Sequence, residues 1–287
     1  MNGNEIAEKW LSQVKGLVSP PDICIRIFEM IESQSASTKQ LGDVISQDPN
    51  LSARLLKIVN SSYYHFSSRI DTISRAITVI GIRELSSLVL AVSAAKTFRN
   101  IPSELVSIDT FWRHSIYTAL IAREVAKRCD ILHPERLFVA GLMHDIGSLI
   151  IYNRVPGAAK AILIQSNGSE QAVYTLENET LGTNHAQVGG MLLNQWMLPK
   201  ILRDAVMFHH EPCQSDTAPV EAAIVHIAEA LANASIIGGF STEACGQDQI
   251  AAEVWNAAHI KQDGLDTDEL VGAAGLHFVT MNESLSG

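Results

Sequence analysis

The sequence predicts an all-α fold in which most of the chain forms amphipathic helices. Apolar residues recur at helical spacing, as in the set Ile23, Ile27 and Ile31. Start and stop signals such as Pro20-Pro21 separate the apolar stretches from one another. No stretch shows the alternation of apolar and polar residues that a half-buried strand requires. The connections are short, which is typical of a compact helical bundle.

Five helices are predicted before residue 100. The first follows Pro21, and Ser37-Thr38 opens the second. Asp48-Pro49 marks a break, because the residue before a proline disfavours the helical region. The apolar stripes that define the five helices fall within 23–31, 41–45, 51–59, 73–80 and 84–98, and Gly81 ends the fourth.

A boundary is predicted at Asn100–Ser107, where Ile101-Pro102 interrupts the helical pattern. The chain then divides into an N-terminal helical subdomain (1–104), a second helical subdomain (105–240) and a C-terminal extension (241–287) with two or three further helices. A turn is expected at Gly238-Gly239. The helices predicted in the second subdomain are Ile108–Cys129, Pro134–Asn153, Val155–Asn167, Ser169–Leu181, Asn184–Trp196, Pro199–His209 and Pro219–Ser235.

The composition is that of a globular protein, with 47% hydrophobic and 18% charged residues among 287. A net charge of -10 disfavours a broad nucleic-acid surface, so no direct nucleic-acid partner is expected. The four cysteines form no C-x-x-C pair, as in a reduced cytoplasmic protein. The longest apolar stretch, Leu85–Ala95, is too short to span a bilayer, so no membrane association is expected.

A histidine and an aspartate stand together in the apolar run Leu137–Gly147, at His144-Asp145. A buried carboxylate needs a charged or hydrogen-bonding partner to remain ionised. Imidazole and carboxylate together are good ligands for first-row metal ions, so a divalent cation is one such partner. Most single His-Asp pairs, however, are hydrogen-bonded pairs that orient a helix.

The remaining histidines and acids of the pattern favour a metal site. They come from separate predicted helices, and a bundle can project such side chains into one interior. We expect two divalent ions, and iron, manganese, zinc and nickel all suit these ligands. The candidate ligands are His114, His144, Asp145, His185, His209, His210 and Glu229.

This ordered set resembles the HD superfamily of metal-dependent phosphohydrolases, in particular its phosphodiesterase branch. The resemblance implies an HD-domain-like helical bundle in which Asp145 bridges the two ions. It also implies that one ion is held by His114, His144 and Glu229, and the other by His185, His209 and His210.

A second resemblance covers more of the chain, from about Leu17 to Pro212. The segments that carry it are similar to the HDOD domain, the HD-related output domain of bacterial signalling proteins. It implies an all-α regulatory module whose partners are signalling proteins or a small phosphorylated ligand; the oligomeric state stays open. The segments are Val18–Pro21, Ile45–Pro49, Leu51–Leu56, Val59–Tyr64, Ile73–Ile77 and Ile80-Gly81.

Three functions remain open from the sequence. Ser148 stands where active relatives of the phosphodiesterase branch have a lysine, and Cys213–Thr217 replaces their Gly-Tyr-Pro signature, which favours a regulatory module. The second function is a metal-dependent phosphohydrolase. In it a water activated by the ions attacks a nucleotide or other phosphate ester, and His210 or Asp145 assists proton transfer. A di-iron oxygenase is the third.

Overall fold

The computed structural model describes residues 2–14, 22–32, 37–61, 63–64, 66–98, 105–239, 250–261 and 264–286. Every regular element within these ranges is a helix, which confirms the all-α prediction. No helix in these ranges is both long enough and apolar enough to cross a membrane.

The described residues of the N-terminal part form six helices, and local sequence signals fix several of their ends. The Ser37 hydroxyl accepts a hydrogen bond from the backbone N–H of Gln40 (3.2 Å), and the Asp48 carboxylate accepts one from that of Leu51 (3.0 Å). Gly81 ends a helix with a φ of 85°, which glycine adopts without strain. The helices are α1 (Gly3–Val14), α2 (Asp22–Glu32), α3 (Thr38–Ile45), α4 (Pro49–Val59), α5 (Ile73–Ile80) and α6 (Ile82–Phe98).

All five predicted helices of this part are present as α2 to α6, and α1 is an addition that the sequence pattern did not predict. The start signal Pro20-Pro21 lies outside the described residues, as does most of the predicted boundary (residues 100–104). The division of the chain into three parts therefore stays a prediction.

The second part continues with a long helix and a series of shorter ones. Two helices of the C-terminal extension fall within the described ranges. The elements are α7 (Ile108–Arg128), α8 (Pro134–Met143), α9 (Ile146–Arg154), α10 (Pro156–Ser166), α11 (Glu170–Leu181), α12 (His185–Gln195), α13 (Lys200–Met207), a 3-10 turn (Pro212–Gln214), α14 (Pro219–Asn233), α15 (Ala252–Ala257) and α16 (Thr267–Ser286).

The single helix predicted over Pro134–Asn153 was wrong, because the chain turns at His144-Asp145 and forms α8 and α9. The cause lies in tertiary packing. A Cβ atom on Gly147 would lie 2.1 Å from the carbonyl oxygen of His185 and 2.7 Å from the backbone nitrogen of Gly189. The start of α9 therefore packs directly on the backbone of α12, and a straight continuation of α8 would not bring it there.

Helix α7 lies at the centre of the fold and packs against α8, α14 and α16. Its crossing with α8 is close: a Cβ atom on Gly141 would lie 2.8 Å from the Cα atom of Ala119. Helix α16 also contacts α4 and α6, so the C-terminal helix packs on both of the preceding parts. One continuous apolar core results, and the polar site described next is embedded in it.

Candidate metal centre

All seven side chains predicted as ligands meet in one buried site. They come from α7, the turn between α8 and α9, the first residue of α12, the segment after α13, and the middle of α14. Each is less than a tenth exposed, and their ligand atoms fall into overlapping groups within 4.8 Å of one another. The residues are His114, His144, Asp145, His185, His209, His210 and Glu229.

Backbone carbonyl groups orient three of the histidine rings. The Nδ1 atom of His114 lies 2.9 Å from the oxygen of Gly238. The other two contacts are His144 Nδ1 to the oxygen of Gly141 and His209 Nδ1 to that of Val206, both at 2.7 Å. A carbonyl oxygen only accepts hydrogen bonds, so Nδ1 of each ring carries the proton. The Nε2 atom of each neutral ring then presents a lone pair to the site, as metal ligation requires.

Glu177 orients His185 from behind. One oxygen of its carboxylate accepts from the backbone N–H of His185 (2.8 Å) and lies 2.7 Å from Nδ1 of the same ring. Such a carboxylate–histidine pair fixes the tautomer of a metal ligand and raises its basicity. Sequence analysis missed Glu177. It stands in the polar helix α11, and the one signal was its position a few residues before a ligand histidine.

Asp145 lies between two clusters of histidines. Its Oδ2 atom is 3.2 Å from Nε2 of His144 and 3.8 Å from Nε2 of His114. Its Oδ1 atom is 3.5 Å from Nε2 of His185, which itself is 2.9 Å from Nε2 of His210. The Asp145 carboxylate thus lies within 4 Å of histidines on both sides of the site.

Glu229 completes the site beside His209. Its Oε2 atom is 3.8 Å from Nε2 of His209, and a carboxylate oxygen of Glu229 lies within 4.8 Å of one of Asp145. His226, one turn earlier on α14, uses Nδ1 to contact the backbone oxygen of His209 (2.9 Å). His226 also belongs to a candidate ligand group with His210 and Glu229.

The protonation of the site without metal is uneven. Burial by itself raises the pKa of Asp145, but His144 and the other imidazoles outweigh it and hold that pKa well below its usual range. Burial also disfavours the charged forms of His144 and His185 and by itself lowers their pKa values. The charge of Asp145 nevertheless raises the pKa of His144 to about 9, and Glu177 with Asp145 raises that of His185 to about 10.

The other histidines are held neutral. Burial lowers the pKa of His114 to about 4, with a further contribution from His144. Burial and neighbouring imidazoles keep the pKa values of His209 and His210 well below the usual range. Burial raises the pKa of Glu229 to about 7. Neutral imidazoles around an ionised aspartate are the form in which these groups bind a cation.

Three buried atoms of the site lack a hydrogen-bond partner among the described residues: Asp145 Oδ1, His209 Nε2 and Glu229 Oε1. Leaving such atoms unsatisfied in a protein interior is costly. Two pairs of Nε2 atoms also face each other, 3.3 Å apart between His114 and His144 and 2.9 Å apart between His185 and His210. Without metal, the raised pKa values of His144 and His185 place one proton between the two atoms of each pair, and a bound cation would take its place. The donor set therefore fits divalent metal ions.

A cavity of about 370 Å³ opens beside Asp145. It lies among α7, α9, α10 and α11, and Glu170 at the start of α11 also lines it. Burial raises the pKa of Glu170 to about 8, and the nearby charge of Asp145 acts in the same direction. On another side of the site, the Tyr174 ring lies 4.6 Å from that of His210. Neither Glu170 nor Tyr174 belongs to the pattern of residues predicted from the sequence.

Comparison with known proteins gives one family. The model of the HDOD domain matches residues 17–212. A curated but uncharacterized protein of Treponema pallidum (strain Nichols) is 25% identical over 209 residues, which cover 72% of this chain and 40% of that protein. The chain thus spans about two fifths of the length of the curated relative it matches.

Solved structures agree over nearly the whole chain. A protein of Shewanella amazonensis SB2B, named as a proposed phosphohydrolase, has a TM-score of 0.72 at 25% identity and covers 96% of this chain and 97% of its own. An HDOD domain protein of unknown function from Geobacter sulfurreducens has a TM-score of 0.78 at 23% identity and covers 99% and 97%. The match of the family model over most of the sequence and this common fold show that the chain belongs to the HDOD domain family.

Proposed function

We propose that this protein is a bacterial signal-transduction module of the HDOD type that retains a two-ion metal centre. The centre would hold iron, manganese, zinc or nickel and would respond to a signalling protein or a small ligand. In this role the ions stabilise the arrangement of helices around them, since the seven ligands come from five separate segments of the chain. Binding or loss of a ligand beside the ions would then alter how those helices pack.

The observation that carries the proposal is the set of three unpaired buried atoms inside a ring of oriented imidazoles. Asp145 Oδ1, His209 Nε2 and Glu229 Oε1 lack hydrogen-bond partners among the described residues, yet all three belong to overlapping candidate ligand groups. Metal ligation satisfies all of them at once. A purely structural polar cluster would pair these atoms with one another or with the backbone.

The regulatory function is favoured over catalysis by the charges around the centre. Phosphoryl-transfer sites place cationic groups where negative charge develops. Ser148 occupies the position of the lysine expected in active relatives, and it lines the cavity beside Asp145. His210 is held neutral by burial, which suits a ligand better than a proton donor.

The alternative is a metal-dependent phosphohydrolase, which the name of the Shewanella amazonensis relative and the near-complete ligand set support. Two divalent ions supply an activated water and stabilise phosphoryl oxygens in such sites. The residues of this chain would hold the ions and keep Asp145 ionised, with His210 or Asp145 assisting proton transfer. The cavity would receive the ester beside Asp145.

Elemental analysis of the full chain tests the proposal. We expect about two transition-metal ions per chain after reconstitution with iron, manganese or zinc, and the loss of at least one in Asp145→Asn. The control is Asp216→Asn, which changes an exposed aspartate and should leave the metal content unchanged. A wild-type protein that stays metal-free after reconstitution would remove the basis of the proposal.

Activity assays separate the two functions. The fully metallated protein is incubated with nucleotides, cyclic dinucleotides and a generic phosphodiester. Turnover that disappears in Asp145→Asn but persists in Asp216→Asn would establish the phosphohydrolase. Absence of turnover from a protein with a full metal complement would favour the regulatory module.

A further inference from the structure

The cavity beside Asp145 has an unusual distribution of charge. Its volume is about 370 Å³, which lies within the range of small-molecule sites. Two of the described residues that line it, Asp145 and Glu170, are acidic, and none is a lysine, arginine or histidine. Lys160 lines a neighbouring groove that shares Leu105 and Leu163 with the cavity, but it does not line the cavity itself.

The two carboxylates differ in their capacity for a further partner. The Oδ1 atom of Asp145 has no hydrogen-bond partner among the described residues, but the proposed ions would take it. No described residue forms a hydrogen bond or an ion pair with the side chain of Glu170. Glu170 belongs to none of the candidate metal-ligand groups. Its carboxylate thus remains for a ligand that enters the cavity.

Metal ions would not reverse this charge balance. Two divalent ions would bring four positive charges into the region. In the metallated protein the charge of the ions keeps the surrounding acids ionised, and four buried or partly buried carboxylates then offset those charges: Asp145, Glu170, Glu177 and Glu229. A polyanionic ligand would therefore find no excess of positive charge in the cavity.

The rest of the lining is apolar or hydroxylic. Phe111, Leu163 and Val173 form an apolar wall, and Ser148 with Tyr152 brings hydroxyl groups from α9. An apolar wall and a few convergent polar groups are typical of sites for small organic ligands. The apolar wall favours a ligand with a compact apolar body, and the acidic residues favour a ligand with a cationic group at one end.

We propose that the cavity binds a small amine with an apolar body, whose ammonium group pairs with Glu170. The proposal rests on the proposed function in that it names the ligand class to which the module responds. A phosphorylated ligand, expected from the family resemblance, fits the lining less well because no described lining residue offers it a cation. The hydroxyl groups of the lining position the ammonium beside the carboxylate.

Three probes of matched shape test the charge preference on the full metallated chain. They are 2-phenylethylamine, 2-phenylethanol and 3-phenylpropanoate, and their affinities are measured by isothermal titration calorimetry. We expect the amine to bind about tenfold more tightly than the alcohol, since a charged hydrogen bond replaces a neutral one. The carboxylate should bind most weakly. An alcohol or a carboxylate that binds as tightly as the amine would overturn the proposal.

Variants of helix α11 locate the effect. Glu170→Gln should lower the affinity for the amine about tenfold and leave that for the alcohol unchanged. Glu170→Asp retains the charge and should retain the preference for the amine. Glu179→Gln removes an exposed acid from the same helix and serves as the control. An amine affinity that falls equally in Glu170→Gln and Glu179→Gln would also overturn the proposal.

Metal content measured on the same samples keeps the two proposals distinguishable. A full complement of metal without amine preference contradicts the ligand assignment and leaves the metal-containing module intact. Amine preference that depends on Glu170 in a protein without metal contradicts the proposed function and supports the cavity assignment, since Glu170 is not among the candidate metal ligands.

Discussion

The contact between α9 and α12 gives the sharpest test of the described geometry. Gly147 is the second residue of α9 and follows Asp145 by two positions, and it faces the backbone at the start of α12, which carries His185. A Cβ atom at position 147 would lie 2.1 Å from the carbonyl oxygen of His185 and 2.7 Å from the backbone nitrogen of Gly189. Because both neighbours are backbone atoms, no side-chain rotation can relieve the overlap.

The magnitude follows from these distances. Contacts of a Cβ atom below 3.0 Å essentially do not occur, so Gly147→Ala must separate α9 from α12 by close to the missing 0.9 Å. Overpacking of a core costs about 1–3 kcal/mol, and a clash between two backbones belongs at the upper end. At about 2–4 °C per kcal/mol for a protein of this size, the Tm should fall by roughly 6–12 °C.

The same displacement acts on the metal centre. His185 and Asp145 lie on opposite sides of the contact, and their ligand atoms are 3.5 Å apart. We expect Gly147→Ala to lose metal as well as stability. Differential scanning calorimetry measures the fall in Tm and elemental analysis measures the loss of metal, both on the full chain.

Gly157→Ala is the matched control. Gly157 lies in the first turn of α10, and a Cβ atom there would have no neighbour within 4 Å. Restriction of the unfolded chain should raise the free energy of unfolding by about 0.4–1 kcal/mol without changing the metal content. If Gly147→Ala were as stable as Gly157→Ala and bound as much metal, the described approach of α9 to α12 would be incorrect.

Two further predictions concern protons at the site. Glu177→Gln should lower metal affinity about 10–100-fold, because the amide still holds the His185 ring but no longer raises the basicity of that ring. Competition with a chelating dye measures the metal affinity. An affinity equal to that of Glu179→Gln would contradict the prediction. In metal-free protein the raised pKa values of His144 (about 9) and His185 (about 10) contribute stability that is fully present below the unfolded value of 6.5 and is lost as the pH rises through the folded values. Urea unfolding from pH 6.5 to 10 should therefore show decreasing stability, and an increase would refute these shifts.

The order of helices could be predicted from the sequence because their ends depend on local chemistry. Asp48-Pro49 and Ser37 each determine a boundary through bonds or dihedral angles within a few residues. The apolar stripes between the boundaries then select the buried face. Neither step requires knowledge of distant parts of the chain, and the structure agrees with both.

The break at His144-Asp145 could not be predicted in this way. Apolar residues flank it on both sides, and neither proline nor a left-handed glycine marks the turn. The turn is imposed by α12, which approaches from forty residues further along the chain and contacts Gly147. Tertiary packing overrides local propensity here, and it does so at the two residues that the metal centre needs.

The residues of the candidate site also differ in whether the sequence alone could reveal them. Its histidines could be found from the sequence because their types and order form a pattern that separate helices can bring together. Glu177 and Glu170 could not be found, because both lie in α11, a polar helix whose composition is that of a solvent-exposed element. Their importance comes from tertiary contacts: Glu177 contacts Nδ1 of His185, and Glu170 lines the cavity.

Helix α11 therefore connects the proposed metal centre with the cavity proposed to bind the amine. Glu177 contacts a predicted metal ligand, and Glu170, two turns earlier on the same helix, lines the cavity. We expect a ligand that pairs with Glu170 to shift α11 and with it the Glu177 carboxylate that orients His185. A change of the ions bound at His185 should likewise shift α11 and the position of Glu170. Because the coupling free energy between two sites is reciprocal, amine binding and metal binding should each alter the affinity for the other by the same factor.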